Sequence, residues 1–300
     1  MNQQPNIVFI TLDSCRFDTA ERAKIPTIRS IGPLRKALTQ ASYTVAAHAS
    51  FFNAHFPVVF DADRPDYYSE YPKRLIRIKK GRISQQAEKS VFFEVGGPNI
   101  IDGFEQEGYY VLGTGGVAQF YPGSQLNRYF KNFLYYGREL EIDVFTDRSE
   151  AHFPLNHTSE IIERLKDKNK WFLFINAPET HYPYDLGQGI HPKIEKWLPA
   201  LRTGLGLAEG KEFETVPDEI FQIMHHEQIK ALEYFDEKLK KFIEQLPREQ
   251  DILFIICGDH GECFGETFMN RRRWGHIISA PSVFAVPLVI GILPVNKSQP

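Results

Sequence analysis

Cysteine is scarce in this sequence, with three in 300 residues. Cys15, Cys257 and Cys263 cannot build a disulfide framework, and such usage suits a reducing compartment. Charge of one sign is also missing: 35 Lys and Arg stand against 38 Asp and Glu, a formal net charge of −3. So balanced a chain has no overall field to draw it to nucleic acid or an anionic membrane. No long apolar run begins the chain either. The opening MNQQPNIVFITLDSCRFD breaks at Asp13 and lacks a basic segment, so it reads as neither secretory signal nor membrane span. No repeat or low-complexity tract stands out. What is present is ordinary for a globular protein, with 42% hydrophobic and 24% charged residues. The expectation is a cytoplasmic α/β protein with a single domain over residues 1–300 and neither nucleic-acid nor membrane partners. Its oligomeric state stays open.

Short apolar runs give the first outline of the fold. Asn6–Leu12 (NIVFITL), Trp171–Ala177 (WFLFINA), Asp251–Cys257 (DILFIIC) and Val286–Gly291 (VPLVIG) read as strands covered on both faces, with Tyr109–Leu112 a fifth. Helical patterns cover Thr158–Lys166 and Phe221–Leu246; in the latter, Ile229, Leu232, Phe235, Leu239, Phe242 and Leu246 recur at spacings of three and four. Alternating strands and helices predict a three-layer α/β/α sandwich with a mostly parallel central sheet. Residues 61–86, rich in Tyr, Arg and Lys, and residues 182–217, rich in Pro and Gly, read as excursions from it. Within the first, the basic stretch Lys73–Arg82 reads as an edge strand with a solvated face.

In open α/β sheets ligands bind beyond the carboxyl ends of the strands. Asp13 follows the first run, Glu179-Thr180-His181 the second, and Asp259-His260-Gly261-Glu262 the third. Carboxylates and imidazoles from three strands supply hard and borderline ligands for a divalent cation, which would offset the repulsion between Asp13 and Asp259. The alternative is a set of solvated loop ends, with His260 a satisfied core histidine and the His181 segment an ordinary turn. Thr44 stands at the predicted start of a helix within Ala41–Pro57. It reads as an N-cap, or as a hydroxyl beside an anion-binding helix N-terminus. Glu262 reads as a helix-start acid, with a place behind the ligands as the alternative. Arg271–Arg273 reads as a loop-like charge run that is solvated or grips an anionic substrate. GTGG at Gly113–Gly116 lacks dinucleotide-loop spacing, and His225-His226-Glu227 lacks the paired histidines of a metalloprotease helix.

At these residues the sequence resembles the sulfatase-like branch of the alkaline phosphatase superfamily. NIVFITLDSCRFDTA resembles its metal-ligand strand. TVAAHASFFNAHFP resembles its nucleophile signature, with Thr44 at the nucleophile, His48 at the Arg/His position and Pro57 closing. GYYVLGTGG, THYPY, ALEYFDEKLKKF and GDHGECFGE…RWGHI…VPLVIG follow in family order. The resemblance implies an alkaline phosphatase-like fold and a metal site of Asp13, Thr44, Asp259 and His260. It also implies that His181 and His276 face the phosphoryl group or, with Glu179, join a second metal site. His48 and Arg273 would touch substrate, and Arg16 would support the first ligand loop. Such ligands suit zinc or manganese, and oxygen-rich variants take calcium or magnesium.

Three features depart from the family pattern. Thr44 cannot become formylglycine, which favours phosphoryl transfer over sulfate-ester hydrolysis. Ala46 and Ala47 replace the signature's Pro and Ser. The chain also ends soon after VPLVIG, without the branch's smaller C-terminal subdomain. The expected function is metal-dependent hydrolysis of a small anionic phosphate ester (monoester, diester or phosphonate) through a phospho-threonine. The alternatives are transfer to an alcohol acceptor, a sulfatase, and a catalytically silent metal-binding module.

Overall fold

A computed structural model describes residues 4–54, 77–81, 90–94, 97–137, 150–203 and 213–295. The expectations for Pro57 and for most of the 61–86 excursion lie outside the described residues. In chain order the elements begin with β1 (Asn6–Leu12), α1 (Phe17–Arg22), α2 (Pro26–Ile31), β2 (Arg35–Leu38) and α3 (Thr44–Asn53). There follow β3 (Arg77–Gly81), β4 (Ser90–Glu94), α4 (Ile100–Gln106), β5 (Tyr110–Gly115), β6 (Phe133–Tyr135), α5 (Thr158–Leu165) and β7 (Trp171–Ala177). The last are α6 (Pro192–Thr203), α7 (Asp218–Gln245), β8 (Ile252–Gly258), β9 (Cys263–Phe268), β10 (Arg271–Gly275), α8 (Pro281–Phe284) and β11 (Ala285–Leu293).

The central sheet has seven strands in the order β2-β11-β8-β1-β7-β5-β6. β1 lies between β7 and β8 and is parallel to both, with Leu12 level with Ala177 and Gly258. That register brings the loops carrying Asp13, His181 and Asp259 to one edge. β11 is antiparallel to both its neighbours, β8 and β2. The predicted mostly parallel sheet is therefore present, and β11 is its one antiparallel member.

Every residue of β7 is buried because both faces of the sheet are covered. Trp171, Leu173 and Ile175 pack in a cluster with Val8, Ile10 and Leu12 of β1, Ile161 of α5, and Leu232, Phe235 and Leu239 of α7. Phe172 and Phe174 face the other way, into a cluster with Phe52 of α3 and Ile101 of α4. Each fully buried side chain of this size contributes roughly 1.5–3 kcal/mol by leaving water. A single alternating strand thus joins three layers.

Several sequence expectations shift. The 182–217 excursion contains α6 and a cluster in which Ile194 and Leu201 pack with Phe221, Phe264 and Trp274. Arg271–Gly275, read as loop, is strand β10, hairpinned to β9 through a turn at Met269 and Asn270, both at positive φ. Arg272 lies over the Phe221 ring and pairs with Asp218, so it is not a freely solvated charge. β3 and β4 form a separate two-stranded sheet, and Arg77–Gly81 lies within the stretch read as an edge strand. GTGG ends β5: a Cβ at Gly116 would meet the His152 carbonyl oxygen at 2.0 Å, so this glycine permits close backbone approach and not cofactor binding.

Candidate active site

Asp13 leaves the end of β1, Asp259 and His260 leave β8, and Thr44 opens α3. Asp13, Asp259 and His260 are buried, and one ligand atom from each lies within 4.8 Å of the others. His260 Nε2 is 3.9 Å from Asp13 Oδ1, 3.6 Å from Asp259 Oδ2 and 3.4 Å from Thr44 Oγ1. His260 Nδ1 donates to the Gly261 carbonyl at 2.9 Å, which assigns the proton to Nδ1 and turns the Nε2 lone pair toward the carboxylates.

The backbone holds these groups tightly. Ser14, in the left-handed region at φ 61, donates its N–H to Asp259 Oδ1 at 3.0 Å. The His260 N–H reaches the same oxygen at 2.8 Å. Thr39 Oγ1 donates to the Asp259 carbonyl at 2.5 Å, and Thr180 Oγ1 to the Asp13 carbonyl at 2.7 Å. Asp259 Oδ2 is left buried with no hydrogen-bond partner. Burial pushes the Asp259 carboxyl up to about 7 against the pull of those N–H groups. Burial, then the nearby His276, pushes His260 down to about 4. A buried carboxylate oxygen without a partner, a second carboxylate and a neutral imidazole fit a divalent cation, which takes such donors and would displace the proton that burial favours on Asp259.

Thr44 is the first helical residue of α3. Tyr43 occupies the cap in extended conformation and no side chain caps the helix, so the N-cap reading of Thr44 is replaced. The first backbone bond closes from Ala47 N to the Tyr43 carbonyl, so the amides before it point out of the helix end beside Thr44 Oγ1.

His276 and His181 complete the arrangement. The His276 ring lies 4.6 Å from that of His260 and 5.5 Å from that of His181. His181 Nδ1 is 2.6 Å from the Tyr182 carbonyl and His276 Nδ1 is 3.2 Å from Glu262 Oε1. Tyr184 donates to the other oxygen of Glu262 at 2.9 Å. Glu262 is therefore a buried bridge and does not start a helix. Burial works against a charged His276, but the Glu262 hydrogen bond and charge outweigh it and raise its pKa.

His48 Nδ1 lies 3.9 Å from Asp259 Oδ2, but both of its ring nitrogens are engaged by other protein groups. Its Nδ1 is 2.7 Å from the Thr44 carbonyl and its Nε2 is 2.9 Å from Thr11 Oγ1, inside a box of Phe51, Phe52, Phe120 and Phe174. Arg273 sits where the β9–β10 register shifts, three residues before His276, with Nε buried and unpartnered. Arg16 is held by Asp18, Glu266 and the Glu262 carbonyl, a supporting position. Glu179 lies outside the Asp13–Asp259–His260 group and buries both carboxylate oxygens without partners. The cysteines are buried and free, and burial pushes each thiol pKa up, so none is a poised nucleophile. Thr39, Ser14 and Tyr184 escaped the sequence reading, since isolated hydroxyls and a single backbone N–H carry no spacing signal.

A family model described as Sulfatase matches residues 5–292. Solved structures similar in fold include a protein in the alkaline phosphatase superfamily from Vibrio parahaemolyticus. It has 16% identity and a TM-score of 0.54 over 99% of this chain and 61% of its own. The C-terminal periplasmic domain of EcEptC from Escherichia coli, in a complex with Zn, has 13% identity and a TM-score of 0.59 over 100% of this chain and 75% of its own. The phosphonate monoester hydrolase of Agrobacterium radiobacter has 15% identity and a TM-score of 0.57 over 96% of this chain and 68% of its own. The chain thus spans less than two thirds of the Vibrio protein. Comparison with curated proteins finds no match.

Proposed function

We propose that this chain, which belongs to the sulfatase family, hydrolyses a small phosphate or phosphonate ester through a covalent phospho-threonine at Thr44. The observation that carries the reading is the placement of Thr44 Oγ1 at an open helix N-terminus, 3.4 Å from His260 Nε2 and next to two buried carboxylates. Asp13, Asp259, His260 and the Thr44 hydroxyl would hold the cation, and zinc or manganese suits that donor set. When bound, the cation supplies Lewis acidity, lowering the pKa of the hydroxyl and neutralising phosphoryl charge.

The rest is done by the chain. The open amides of α3 receive non-bridging phosphoryl oxygens, and the helix dipole favours their charge. Thr44 Oγ1, whose proton would pass to bulk water when the cation binds, attacks phosphorus in line as the alkoxide; the bond to the leaving oxygen breaks as Oγ1–P forms, and hydrolysis returns the same alkoxide. His276, whose pKa Glu262 raises against the effect of burial, would give its Nε2 proton to the leaving oxygen. The same nitrogen, now neutral, takes a proton from water as that water attacks phosphorus and releases Thr44. His181, whose ring lies 5.5 Å from that of His276, would hydrogen-bond an equatorial oxygen. Arg273 offers its guanidinium to a further anionic group of the substrate.

The test is turnover of aryl phosphate mono- and diesters, phosphonates and sulfates by wild type, Thr44→Ala and Thr44→Ser with zinc or manganese. Thr44→Ser should keep measurable turnover and Thr44→Ala should lose it, with a phosphorylated tryptic peptide containing Thr44 in quenched wild type. Full turnover by Thr44→Ala refutes the covalent route. Alcohol phosphorylation exceeding phosphate release would make the protein a transferase. Metal binding without turnover of any ester would make it a silent module.

A further inference from the structure

Gln228 lies on the buried face of α7 with its side chain fully enclosed. Its Nε2 donates to two backbone carbonyls, Ser14 at 2.9 Å and Thr180 at 3.0 Å. Those residues follow β1 and β7: Ser14 adjoins Asp13, and Thr180 adjoins His181. Both carbonyls can only accept, so the amide orientation is fixed by chemistry. Oε1 must then accept from Thr19 Oγ1 at 2.6 Å. With the Thr19 proton committed, His225 Nε2, 3.0 Å away, must donate to Thr19 Oγ1. His225 Nδ1 accordingly accepts from Arg22 Nη1 at 3.3 Å. The result is a one-directional chain from Arg22 through His225, Thr19 and Gln228 to two site loops. Burial, then Arg16, pushes His225 down to about 4, which keeps the ring neutral, as this chain requires.

We propose that Gln228 is a positioning residue: a neutral clamp that sets the separation of the Asp13 loop from the His181 loop. It touches neither metal ligand side chains nor substrate. Its two donors are matched to two acceptors on loops that also meet through the Asp13 N–H and the Ala177 carbonyl, and through the Thr180 hydroxyl and the Asp13 carbonyl. A carboxylate in its place would offer only acceptors to acceptors, and an apolar side chain would leave two buried carbonyls unpaired. The consequence for catalysis rests on the function proposed above; the clamp itself does not.

Asp236, two turns along the same helix, supplies a matched control. Its carboxylate accepts from the Thr27 and Ile28 amides at the start of α2, away from the site. The experiment compares Gln228→Met with Asp236→Ala, first by hydrogen–deuterium exchange on metal-free protein. Gln228→Met should speed exchange in residues 12–16 and 178–182 and leave 25–30 unchanged, and Asp236→Ala should do the reverse. Second, zinc affinity measured by calorimetry should fall about 10-fold or more in Gln228→Met, the usual scale for partners behind a ligand, and stay within about 2-fold in Asp236→Ala. On the best aryl ester, kcat should fall with KM nearly unchanged. Thr19→Val, which loosens only the outer bond, should give a smaller effect of the same pattern and serves if Gln228→Met does not fold. Uniform exchange changes, or equal zinc losses in both variants, would overturn the clamp. If wild type turns over no ester, the functional reading fails while the exchange data still decide on Gln228.

Discussion

Replacing Glu179 by Gln should abolish an alkaline loss of stability. The side chain is buried at the end of β7 and neither carboxylate oxygen has a partner. Burial pushes its pKa from 4.5 up to about 8, against the pull of its own backbone amide and then of Lys238. The unfolded chain releases this proton above about pH 4.5, but the folded chain holds it until about pH 8. Between those values the folded state binds one more proton, so its stability falls as pH rises. Each unit is worth about 1.4 kcal/mol, and integrating from about pH 5 to pH 8 gives a loss of roughly 3 kcal/mol from this one group. Gln cannot ionise, so the variant lacks the loss whatever its constant offset from wild type. Urea denaturation of both proteins at several pH values, with chelator present, measures the difference directly. The wild-type minus variant stability should fall by about 3 kcal/mol across that window. Parallel curves would mean that the carboxyl has solvent or a counter-charge that the structure does not contain.

His48 should act in the opposite direction. Burial pushes it down to about 3, so the unfolded chain alone gains a proton below about pH 6.5 and stability falls on acidification. The loss is about 2 kcal/mol between pH 7 and pH 5, and it should be absent in His48→Gln when the same denaturation series is run. Gly261→Ala would place a Cβ 2.1 Å from the Ser282 carbonyl oxygen and force apart the chain beside His260. Zinc affinity and turnover should drop together, and unchanged calorimetry would refute the close approach. Asp236→Ala should cost about 2–4 kcal/mol, since it strips a charged acceptor from two helix-start amides. Guanidinium midpoints decide this, and a loss under about 0.5 kcal/mol would rule out capping as the role of Asp236.

Much of this could be read beforehand where periodicity is strong. β1 and β7 have the limits predicted from NIVFITL and WFLFINA, because strands buried on both faces are largely apolar and end abruptly, here at Asp13 and Pro178. α7 carries its apolar stripe as spaced. β10 was hidden because three consecutive arginines carry no apolar alternation; Arg272 covers Phe221 with its guanidinium instead. β2 and β6 are short, with no residue fully buried, so they give no hydrophobic signal. Strand-end logic brought Asp13, Asp259 and His260 together. Glu262 escaped because a buried acid and a solvated one look alike until Tyr184 and His276 are placed around it. Gln228 left one usable trace: a polar residue in register with Phe221, Met224, Leu232 and Phe235, on a mostly apolar buried face that it shares with Asp236.

The charges explain why the site suits a cation better than another arginine. Arg16 lies close by, but Asp18 and Glu266 already occupy its guanidinium. The α3 N-terminus adds about half a positive charge, spread over amides that also suit the substrate. Without further positive charge, burial drives Asp259 toward its neutral acid and His260 toward neutral imidazole. A divalent cation reverses the first preference and exploits the second, because it binds carboxylate and neutral imidazole together. Metal uptake near neutral pH should therefore release protons, chiefly from Asp259, and affinity should rise with pH through about 7. A site built to bind anions through arginine would show the opposite: no dependence on metal and no proton release. The near-neutral net charge is consistent with the first design, since attraction is concentrated where one ion sits.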